Sequence, residues 1–424
     1  MQYNEFIAGI KNKKVKIGIV GMGYVGLPLA LLFAQNGFVV TGFVRTSKKA
    51  NFLQSGRHLL SDKGITENLK RAIKNKKFTA RATNTLDLQK QDVIIICVPT
   101  PVNEKKEPDI TDLKNVAKEL EKIDIKGKLV INESTVAPFT TRNTFFHIGK
   151  NFYLATSPER VDPGNEKHTT ENISKVVGAI DKKSLFLAKT LYKQILKGKV
   201  ISVGNLEEAE MAKILENTYR AVNIALINDF AKLAEKCNID ILNVIKAAKT
   251  KWSFQAHYPS IGVGGHCIPV DPYYLIELAK TKGLSMNLIN DSLLVNEEMP
   301  EFVAGKVVKH YKKGMTVLVY GLTYKKNIND LRESPAMNFC KILGNKKIPF
   351  KVYDPYIKQD EIKKMGFDWG PVQRVEMLIV ATDHDQLKED SKVLIGEDTV
   401  VIDGRNYFKD KKGKLLLGVG RIMK

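Results

Sequence analysis

The first 200 residues alternate between short runs rich in β-branched residues and stretches whose apolar positions follow helical spacing. This alternation is typical of a parallel sheet that is covered by helices on both faces. The runs that we predict as strands are Val15–Val20, Val39–Val44, Val93–Val98, Leu129–Glu133 and Lys175–Val177. The pattern therefore predicts a doubly wound α/β domain in the first half of the chain.

A long helical segment separates this region from a second α/β pattern. Residues 206–236 contain no Gly or Pro and are rich in helix formers, which predicts one continuous helix, with more helix following through Ala248. From Thr316 onward the strand pattern returns. The strands predicted there are Thr316–Tyr320, Phe350–Tyr353, Met377–Val380 and Thr399–Ile402. The expected fold class is α/β, with two doubly wound domains joined by a long central helix.

Three glycines follow the first predicted strand. Gly21, Gly23 and Gly26 have GxGxxG spacing and lead into a helical pattern. In such a turn the first glycine permits the tight bend, the second lets the backbone approach a pyrophosphate, and the third lets helix and strand pack closely. In this strand-to-helix context the motif predicts a dinucleotide-binding site.

The residue that ends the second predicted strand bears on which dinucleotide is bound. An acidic residue at this place ordinarily binds the adenosine ribose hydroxyls of NAD. Here the place belongs to Val44, followed by Arg45, Thr46 and Ser47. With no carboxylate to repel a 2′-phosphate, NADP is an alternative to NAD, although Arg45 could equally stack on adenine. The sequence leaves both cofactors open.

Size and composition indicate a globular enzyme. The chain has 424 residues, of which 27% are charged and 43% hydrophobic, which is enough for two or three domains. Its apolar runs, such as residues 93–98, are far shorter than the roughly 20 residues that cross a bilayer. The N-terminal residues 1–14 are polar and basic, without the features of an export signal. We therefore expect a cytoplasmic protein with no membrane partner.

Cysteines and charge exclude further classes. The four cysteines are far apart, with no CxxC pair and no Cys/His cluster at metal-ligand spacing, so we expect neither disulfides nor a metal site. The 67 Lys and Arg residues exceed the 46 Asp and Glu residues by 21, but the lysines are scattered and lack interleaved aromatic residues. We therefore predict no nucleic-acid partner; a diffuse positive field would instead attract anions such as nucleotide diphosphates.

One cysteine stands in an unusual loop. Residues 261–275, IGVGGHCIPVDPYYL, place Cys267 after Gly264, Gly265 and His266 and four residues before Asp271. The glycines would leave room for a substrate. A thiolate is a good nucleophile toward an aldehyde, and it is activated in polar, electropositive surroundings. A lone cysteine is more often a small buried residue, but the polar, turn-rich setting favours a nucleophile.

Polar residues recur on one face of the long predicted helix. Glu210, Lys213, Asn217 and Arg220 follow i, i+3, i+7 and i+10 spacing, which puts them on the same face. A solvated stripe is the simpler explanation. Because the opposing surface is also apolar, we expect the helix to be buried nearly all round, where an unpaired Lys or Asn would cost several kcal/mol. A functional role is therefore the better interpretation.

Motifs along nearly the whole chain resemble those of the UDP-glucose/GDP-mannose dehydrogenase family. The motifs that carry the resemblance are VGMGYVGLPLA, CVPTPVNEKKEPDI, NESTVAP, TSPERVDPG, AEMAKILENTYRAVNIALIND, GVGGHCIPVDPYYL, YGLTYKKNINDLRESPA and VIDGRN. The resemblance implies an N-terminal dinucleotide-binding Rossmann domain (1–205), a central helical dimerisation and catalytic segment (206–305) and a C-terminal nucleotide-sugar-binding α/β domain (306–424). It also implies a homodimer.

The family's chemistry is a four-electron oxidation of a sugar primary alcohol to a carboxylate, in which two nicotinamide cofactors are consumed. The resemblance implies that Cys267 captures the intermediate aldehyde as a thiohemiacetal, which becomes a thioester and is hydrolysed. The other catalytic residues that it implies are Lys213, Asn217, Asp271, Thr135 and Glu159. An ammonium and an amide suit a developing oxyanion, and carboxylates can position or activate water.

The resemblance also implies two sets of binding residues. The expected cofactor contacts are Gly21, Met22, Gly23, Tyr24, Val25, Gly26, Arg45, Pro99, Thr100 and Thr135. The expected substrate contacts are Glu159, Arg160, Lys213, Asn217, Arg220, Gly264, His266, Lys325, Arg332 and Arg405. Arginines at such positions match the oxygens of a diphosphate by bidentate hydrogen bonding.

Two sequence features favour one class of sugar substrate. His266 directly before Cys267, together with SPERVDPG, resembles the branch that acts on UDP-N-acetylhexosamines. UDP-N-acetylmannosamine is favoured slightly over UDP-N-acetylglucosamine, while UDP-glucose or GDP-mannose remains an alternative. A non-catalytic nucleotide-sugar-binding protein of the same fold is disfavoured, because the candidate catalytic residues are intact.

Four positions depart from the family pattern. Val44 replaces the usual acid, Phe139 stands where the ESTVxPG motif has glycine, Ser260 takes a glycine place, and Lys326 a proline place. The first bears on cofactor choice and the others on local loop geometry.

Overall fold

The computed structural model describes residues 2–60, 64–161 and 167–423, and it divides the chain into two compact units. The first unit comprises Met1–Glu216 and Tyr273–Gly283, and the second comprises Asn217–Pro272 and Leu284–Lys424. Each unit is built around its own predominantly parallel sheet, which confirms the predicted α/β class.

The first unit contains an eight-stranded sheet in the order β3-β2-β1-β4-β5-β6-β7-β8. Its strands are β1 (Lys16–Val20), β2 (Val39–Val44), β3 (Phe78–Ala82), β4 (Val93–Ile96), β5 (Leu129–Asn132), β6 (Tyr153–Thr156), β7 (Lys175–Ala179) and β8 (Val200–Ser202). Its helices up to this point are α1 (Tyr3–Lys11), α2 (Gly26–Gln35), α3 (Ser47–Gln54), α4 (Ile65–Lys74), α5 (Thr85–Gln89), α6 (Thr111–Leu120), α7 (Thr140–Phe145) and α8 (Lys182–Tyr192). Neighbouring strands are parallel except for β6 and β7, which pair antiparallel.

The strand order of this sheet determines where a ligand would bind. Strand β1 lies between β2 and β4: the chain runs outward from β1 through β2 to β3 and then returns to form β4 on the other side of β1. Strands β4 and β5 are buried at every position, because helices cover both faces of the sheet. A crevice forms outside the carboxyl ends of the strands at such a reversal of strand order. The glycine-rich turn after β1 lies at this place.

The long helix α9 (Leu206–Lys236) has the predicted bounds, and α10 (Ile241–Ala248) follows it. The prediction that this helix is buried nearly all round is wrong for the single chain. Large apolar side chains are exposed along one face of α9, namely Met211, Leu215, Tyr219, Leu226, Phe230 and Leu233. Periodicity correctly predicted an apolar face opposite the polar one, but it could not show that the chain itself leaves this face uncovered.

The second unit has a six-stranded sheet in the order β10-β9-β11-β12-β13-β14. The remaining elements of the chain are α11 (Asp271–Thr281), α12 (Asn287–His310), β9 (Val317–Tyr320), α13 (Pro335–Asn345), β10 (Lys351–Tyr353), α14 (Gln359–Lys364), β11 (Met377–Val380), α15 (Leu387–Leu394), β12 (Val400–Asp403), β13 (Leu415–Gly418) and β14 (Arg421–Met423). The pairs are parallel except for β13 and β14. All four residues of β9, β11 and β12 are buried, which matches their apolar composition except at Asp403, the last residue of β12.

Phe139 begins helix α7 in a left-handed conformation, with φ of 76°. A residue with a Cβ atom in this region costs roughly 1–2 kcal/mol relative to the right-handed region. The conformation explains why glycine is the usual residue here. The ring of Phe139 is about half exposed and lies 5.6 Å from the Lys282 ammonium.

Replacing Phe139 should therefore reveal backbone strain. Phe139→Gly and Phe139→Ala both remove the ring contact with Lys282, so their comparison isolates the effect of the Cβ atom. We expect the glycine variant to have a free energy of unfolding about 1 kcal/mol higher than the alanine variant. Urea unfolding of both purified variants measures the difference. An alanine variant at least as stable as the glycine variant would show that the strain is absent.

Candidate active site

The glycine turn after β1 has the geometry that its three glycines predict. Gly21 has φ of 98°, and a Cβ atom there would lie 2.4 Å from the Cys97 carbonyl oxygen. At Gly26 a Cβ atom would lie 1.8 Å from the carbonyl oxygen of Gly21, so helix α2 and strand β1 can approach closely only with glycine. At Gly23, by contrast, a Cβ atom would meet no atom within 4 Å. This open position is where a pyrophosphate could approach the backbone.

A cavity of about 910 Å³ opens beside this turn. Its lining includes Gly21, Met22, Val44, Arg45, Thr46, Lys49, Thr83, Val98, Pro99, Thr111, Asp112 and Glu119. Four of the expected cofactor contacts therefore line one cavity, at the carboxyl ends of β1, β2 and β4. Its size and its partly apolar walls suit a dinucleotide.

Arg45 has a partner that the sequence analysis missed. Its Nη2 atom donates to both carboxylate oxygens of Asp112, at 2.7 Å each. Asp112 lies in the first turn of α6, 67 residues along the chain, and both residues line the cavity. Val44, beside them, is buried and apolar.

The expected contacts Thr100 and Thr135 are joined to each other. The hydroxyl of Thr100 donates to the carbonyl oxygen of Thr135 at 2.7 Å, and the hydroxyl of Tyr274 donates to the carbonyl oxygen of Thr100. The first bond connects the loops that follow β4 and β5, and the second attaches the loop after β4 to helix α11, whose range is Asp271–Thr281. They hold both threonine backbones at the same edge of the sheet as the glycine turn.

A cluster of buried charges lies below this edge. The Lys175 ammonium donates to Glu133 at 2.6 Å and to Glu159 at 3.1 Å, and the hydroxyl of Tyr192 donates to Glu133. All four side chains are at most 8% exposed. We call this set the Lys175 cluster. Glu159, an expected catalytic residue, also accepts hydrogen bonds from the amides of Arg160 and Val161, and these bonds together with Lys175 fix its position.

The two carboxylates of the Lys175 cluster titrate differently. Burial raises the pKa of Glu133 to about 7, with Lys175 opposing and Glu159 adding to the rise. Burial would also raise the pKa of Glu159, but Lys175 and the two amides together hold that pKa below its ordinary value. The pKa of Lys175 is raised, because both carboxylates outweigh the effect of its burial. At neutral pH Glu159 and Lys175 are therefore charged, while Glu133 is close to its midpoint.

The polar face of α9 begins with a structural residue. Glu210 is fully buried, and its carboxylate accepts from the amides of Phe139 and Thr141 at the start of α7, at 2.8 and 2.9 Å. Burial raises its pKa to about 7. Lys213, one turn further, is also buried, whereas Arg220 is exposed. The residues of this polar face therefore lie in different environments: Glu210 and Lys213 are buried, and Arg220 is exposed.

Arg160 is held within the first unit. Its guanidinium forms an ion pair with Glu216, with a shortest distance of 2.6 Å, and donates to the carbonyl oxygen of Ser174 at 2.9 Å. The residues that follow it in the motif, Asp162 to Gly164, lie outside the described residues. Its expected contact with substrate stays a prediction.

Cys267 lies at the surface of the second unit, in the turn before α11. Its carbonyl oxygen accepts from the amides of Val270 and Asp271, at 3.1 and 2.8 Å. Cys97 and Cys340 are instead buried, and burial raises the pKa of both thiols. The sulfur proposed as nucleophile is therefore accessible, unlike two of the other three cysteines.

Asn217 and Asp271 meet within the second unit. The Asn217 amide donates to Asp271 Oδ2 at 2.5 Å. Asp271 is 3% exposed and is the first residue of α11, while Asn217 lies on α9. Two expected catalytic residues, 54 positions apart, are thus joined by a hydrogen bond, and one of them, Asp271, lies four residues after Cys267 in the sequence.

Two distant motifs contact the Cys267 loop. The amide of Ile261 donates to the carbonyl oxygen of Gly404 at 2.7 Å, and the amide of Gly265 donates to that of Arg332 at 3.1 Å. Gly264 packs so closely that a Cβ atom would lie 2.6 Å from the carbonyl oxygen of Glu333. Packing against protein atoms thus gives a structural reason for this glycine, and its role in substrate binding stays a prediction.

The basic residues of the second unit are anchored by carboxylates. Arg332 forms a two-point ion pair with Asp330, and Arg405 Nε donates to Asp383 at 3.1 Å. Arg405 also donates to the carbonyl oxygen of Tyr324, which precedes Lys325. The arginines are half-buried or exposed, and can present the rest of their guanidinium groups to an anion.

His266 lies beside Arg332. Burial and the guanidinium lower the pKa of His266, with Asp330 opposing. The imidazole is therefore neutral at neutral pH and can donate one hydrogen bond and accept another. A neutral ring suits recognition of an uncharged polar group.

A second buried pair supports the segment around Lys325. His384 and Asp354 are fully buried, with His384 Nε2 3.2 Å from Asp354 Oδ2. The amide of Asn327 donates to His384 Nδ1, and the amide of Leu322 donates to Asp354. This pair fixes the loop after β9. Sequence analysis did not single it out, although Asp354 directly follows a predicted strand.

Comparisons with known proteins agree with the motifs. Residues 15–196 match the NAD binding domain of the UDP-glucose/GDP-mannose dehydrogenase family, residues 207–298 its central domain and residues 318–410 its UDP binding domain. The chain belongs to the UDP-glucose/GDP-mannose dehydrogenase family. It is therefore an oxidoreductase, and the cavity beside Gly23 lies in its NAD binding domain.

Individual relatives span nearly the whole chain. A UDP-N-acetyl-D-mannosamine dehydrogenase of Pyrococcus horikoshii is 35% identical, over 96% of this chain and 99% of the relative. A UDP-N-acetyl-D-glucosamine 6-dehydrogenase of Salmonella typhi is 33% identical, over 94% of both chains. The solved structure of the Pyrococcus horikoshii UDP-D-ManNAc dehydrogenase matches 96% of this chain and 99% of its own, with 34% identity and a TM-score of 0.86.

A UDP-glucose dehydrogenase structure from Pyrobaculum islandicum is also similar, with a TM-score of 0.88 at 25% identity, covering 96% of this chain and 98% of that one. The described residues contain no set of three His, Cys, Asp or Glu side chains arranged to hold a metal ion. None of their helices combines the length and apolarity needed to span a bilayer.

The raised pKa of Glu133 predicts a pH-dependent stability. Because its folded-state pKa of about 7 lies above its ordinary value of 4.5, the folded protein retains a proton that the unfolded chain has lost between these values. The stability contributed by Glu133 therefore falls as pH rises from 4.5 to about 7. The variant Glu133→Gln keeps the shape of the side chain but cannot ionise, so this loss of stability with rising pH should disappear. Relative to the wild type, the variant should gain free energy of unfolding across this window.

Urea unfolding of both proteins across this pH window measures the effect. The difference should grow with pH and then level off above the folded-state pKa. A difference that is constant with pH would show that Glu133 does not titrate in this range.

Proposed function

We propose that the protein oxidises C6 of a UDP-N-acetylhexosamine to the uronic acid, with UDP-N-acetylmannosamine favoured over UDP-N-acetylglucosamine. The accessible Cys267 thiol, in a loop tied to the UDP binding domain through Arg332 and Gly404, is the observation that carries the proposal. The names of the relatives and the neutral His266 support the N-acetylated sugar. UDP-glucose and GDP-mannose are the alternative substrates.

The proposed reaction has two oxidations and one hydrolysis. The alcohol first loses a hydride from C6 and a proton from its oxygen. Cys267 then forms a C–S bond to the resulting aldehyde, and the thiohemiacetal loses a second hydride from C6 and the proton of its hydroxyl to become a thioester. Water adds to the thioester carbon, the C–S bond breaks, and the carboxylate and the thiolate are released. The bound nicotinamide cofactor supplies the capacity to accept each hydride.

Polar residues have distinct parts in this proposal. Lys213 and Asn217 donate to the oxyanion that develops at C6, since an ammonium and an amide suit that charge. Asp271, which accepts a hydrogen bond from Asn217, positions the hydrolytic water. Glu159 is kept ionised by Lys175 and can act on water as a base, with support from Thr135. The other proposed substrate contacts are Glu159, Arg160, Arg220, Gly264, His266, Lys325, Arg332 and Arg405.

For the cofactor, we propose NAD, with NADP as the alternative. The open space at Gly23 and the adjoining cavity fit a dinucleotide. The NADP alternative depends on Arg45, whose guanidinium is paired with Asp112, and this pairing favours NAD. For the location, we propose the cytoplasm, where NAD and nucleotide sugars are both present and thiols stay reduced.

Substrate and nucleophile can be tested together. Cofactor reduction by the purified protein should be fastest with one of the two UDP-N-acetylhexosamines among UDP-N-acetylmannosamine, UDP-N-acetylglucosamine, UDP-glucose and GDP-mannose. In Cys267→Ser, acid formation should fall by at least about 100-fold, because a serine hydroxyl ionises far less readily than a thiol. Sugar binding, measured by calorimetry, should change little.

The contrary outcomes are distinct. Unchanged acid production in Cys267→Ser would remove this cysteine from the mechanism. Binding without turnover of every sugar would support a non-catalytic binding protein. Fastest turnover of UDP-glucose or GDP-mannose would replace the N-acetylated substrate.

We also propose a homodimer that buries the exposed face of α9. Six large apolar or aromatic side chains on one helix face are unusual for a surface that stays in water. A helix that presents the same face in both copies forms a two-fold interface. Leu226, near the middle of this face, is 53% exposed in the single chain.

Leu226→Glu should therefore weaken the dimer, because it would bury a carboxylate without a partner in both copies. Leu86→Glu, at a side chain that is 78% exposed on α5, makes the same chemical change away from the face. Sedimentation velocity should show a dimer for the wild type and Leu86→Glu and a larger monomer fraction for Leu226→Glu. A monomeric wild type, or the same dimer in all three proteins, would contradict the interface.

A further inference from the structure

The adenosine end of the NAD cavity lacks its usual carboxylate. At the end of β2, where an acid would bind the ribose 2′-hydroxyl and repel a 2′-phosphate, the residue is Val44. Its side chain is 3% exposed and offers no polar atom. Some other group must therefore discriminate between a hydroxyl and a phosphate, or the cavity discriminates weakly.

Basic residues alone would favour the phosphate. Arg45 and Lys49 line the cavity, with Thr46 between them. A guanidinium binds a phosphate through two parallel hydrogen bonds, and this is how an arginine near the end of β2 accommodates the 2′-phosphate of NADP. If Arg45 presented its full charge, the cavity should accept NADP well.

Asp112 changes this expectation. Both of its oxygens accept from Arg45 Nη2 at 2.7 Å, so the carboxylate engages one of the guanidinium nitrogens and offsets its charge. Its side chain is 27% exposed, against 76% for Arg45, so the carboxylate is the better fixed partner. A 2′-phosphate, with a charge of nearly −2, would meet both a guanidinium whose charge is already paired and the like charge of the Asp112 carboxylate. A neutral ribose hydroxyl would meet neither penalty, and it could donate to the carboxylate.

We infer that Asp112 is the residue that determines cofactor choice. From its place on helix α6, and held there by Arg45, it performs the role of the acid that is missing at position 44. This inference rests on the proposal that the cavity binds NAD, and it adds the group that excludes NADP. Asp112 is not assigned to the cofactor by the motif after β1, because it lies outside that motif, on helix α6.

The test is the binding of NAD⁺ and NADP⁺ to the full-length protein, measured by calorimetry without sugar. The wild type should bind NAD⁺ more tightly. Asp112→Asn should strengthen NADP⁺ binding by about tenfold, the size expected when one exposed charge near a phosphate is removed. NAD⁺ binding should change by less than about threefold, since its ribose is uncharged. Adding Arg45→Ala to Asp112→Asn should abolish the gain for NADP⁺.

A matched control separates this effect from a change in net charge. Glu119 also lines the cavity on α6 and pairs with Lys122, so Glu119→Gln removes the same charge while leaving the Arg45 pair intact. It should leave the ratio of the two affinities nearly unchanged.

Three results would overturn the inference: tighter binding of NADP⁺ by the wild type, an unchanged affinity ratio in Asp112→Asn, or an equal shift in Glu119→Gln. Failure of the wild type to bind either dinucleotide would overturn the cofactor proposal as well. Tight NAD⁺ binding without oxidation of any sugar would instead contradict the substrate proposal alone and leave the result on Asp112 valid.

Discussion

The chemistry proposed for this protein depends on how the Cys267 loop is held. Ile261 and Val270 anchor the loop by burial, but three glycines, at positions 262, 264 and 265, leave the backbone between them free to adopt many conformations. Backbone hydrogen bonds from Ile261 to Gly404 and from Gly265 to Arg332 attach it to the segments that follow β12 and β9. Each bond contributes only about 1 kcal/mol, but together they hold the sulfur relative to the basic residues on the same segments.

The first unit solves a related problem with charge. Glu159 must remain ionised although it is buried, and a buried carboxylate without a partner would instead take up a proton. Lys175 provides the partner. The same ammonium also donates to Glu133, which accepts a further hydrogen bond from the hydroxyl of Tyr192. The result is a cluster in which one carboxylate stays charged and the other titrates near neutrality. In the cofactor cavity, the ion pair with Asp112 likewise reduces the positive charge that Arg45 presents to a phosphate.

The sequence predicted best those features that depend on local pattern. Helix α9 has its predicted bounds because no Gly or Pro interrupts it, and the central strands were found because both of their faces are apolar. The strands that were missed are mostly short or lie toward the sheet edges, such as β3, which alternates, and β8, which is largely exposed. The pattern of β8 differs little from that of a loop, and the alternation of β3 extends over only five residues.

Long-range partners were beyond the reach of the pattern. Glu133 and Lys175 lie in the predicted strands, and a charge inside a buried run is a signal that a partner exists, but nothing local identifies the partner. Asp112 is 67 residues from Arg45, and the uncovered face of α9 cannot be distinguished by periodicity from a buried one. In each case the sequence shows a residue that needs a contact, and the fold supplies it.

The central claim is that one accessible sulfur performs the second half of the reaction. It is tested most directly by alkylating the Cys237→Ser variant with iodoacetamide, because Cys237 is the other exposed cysteine among the four, all of which lie in the described part of the chain. Peptide mapping follows the modification of Cys267, and acid formation from the UDP-sugar is measured on the same samples. Loss of acid formation should match the fraction of Cys267 modified, and bound substrate should slow both. Full modification of Cys267 with acid formation retained would contradict the account.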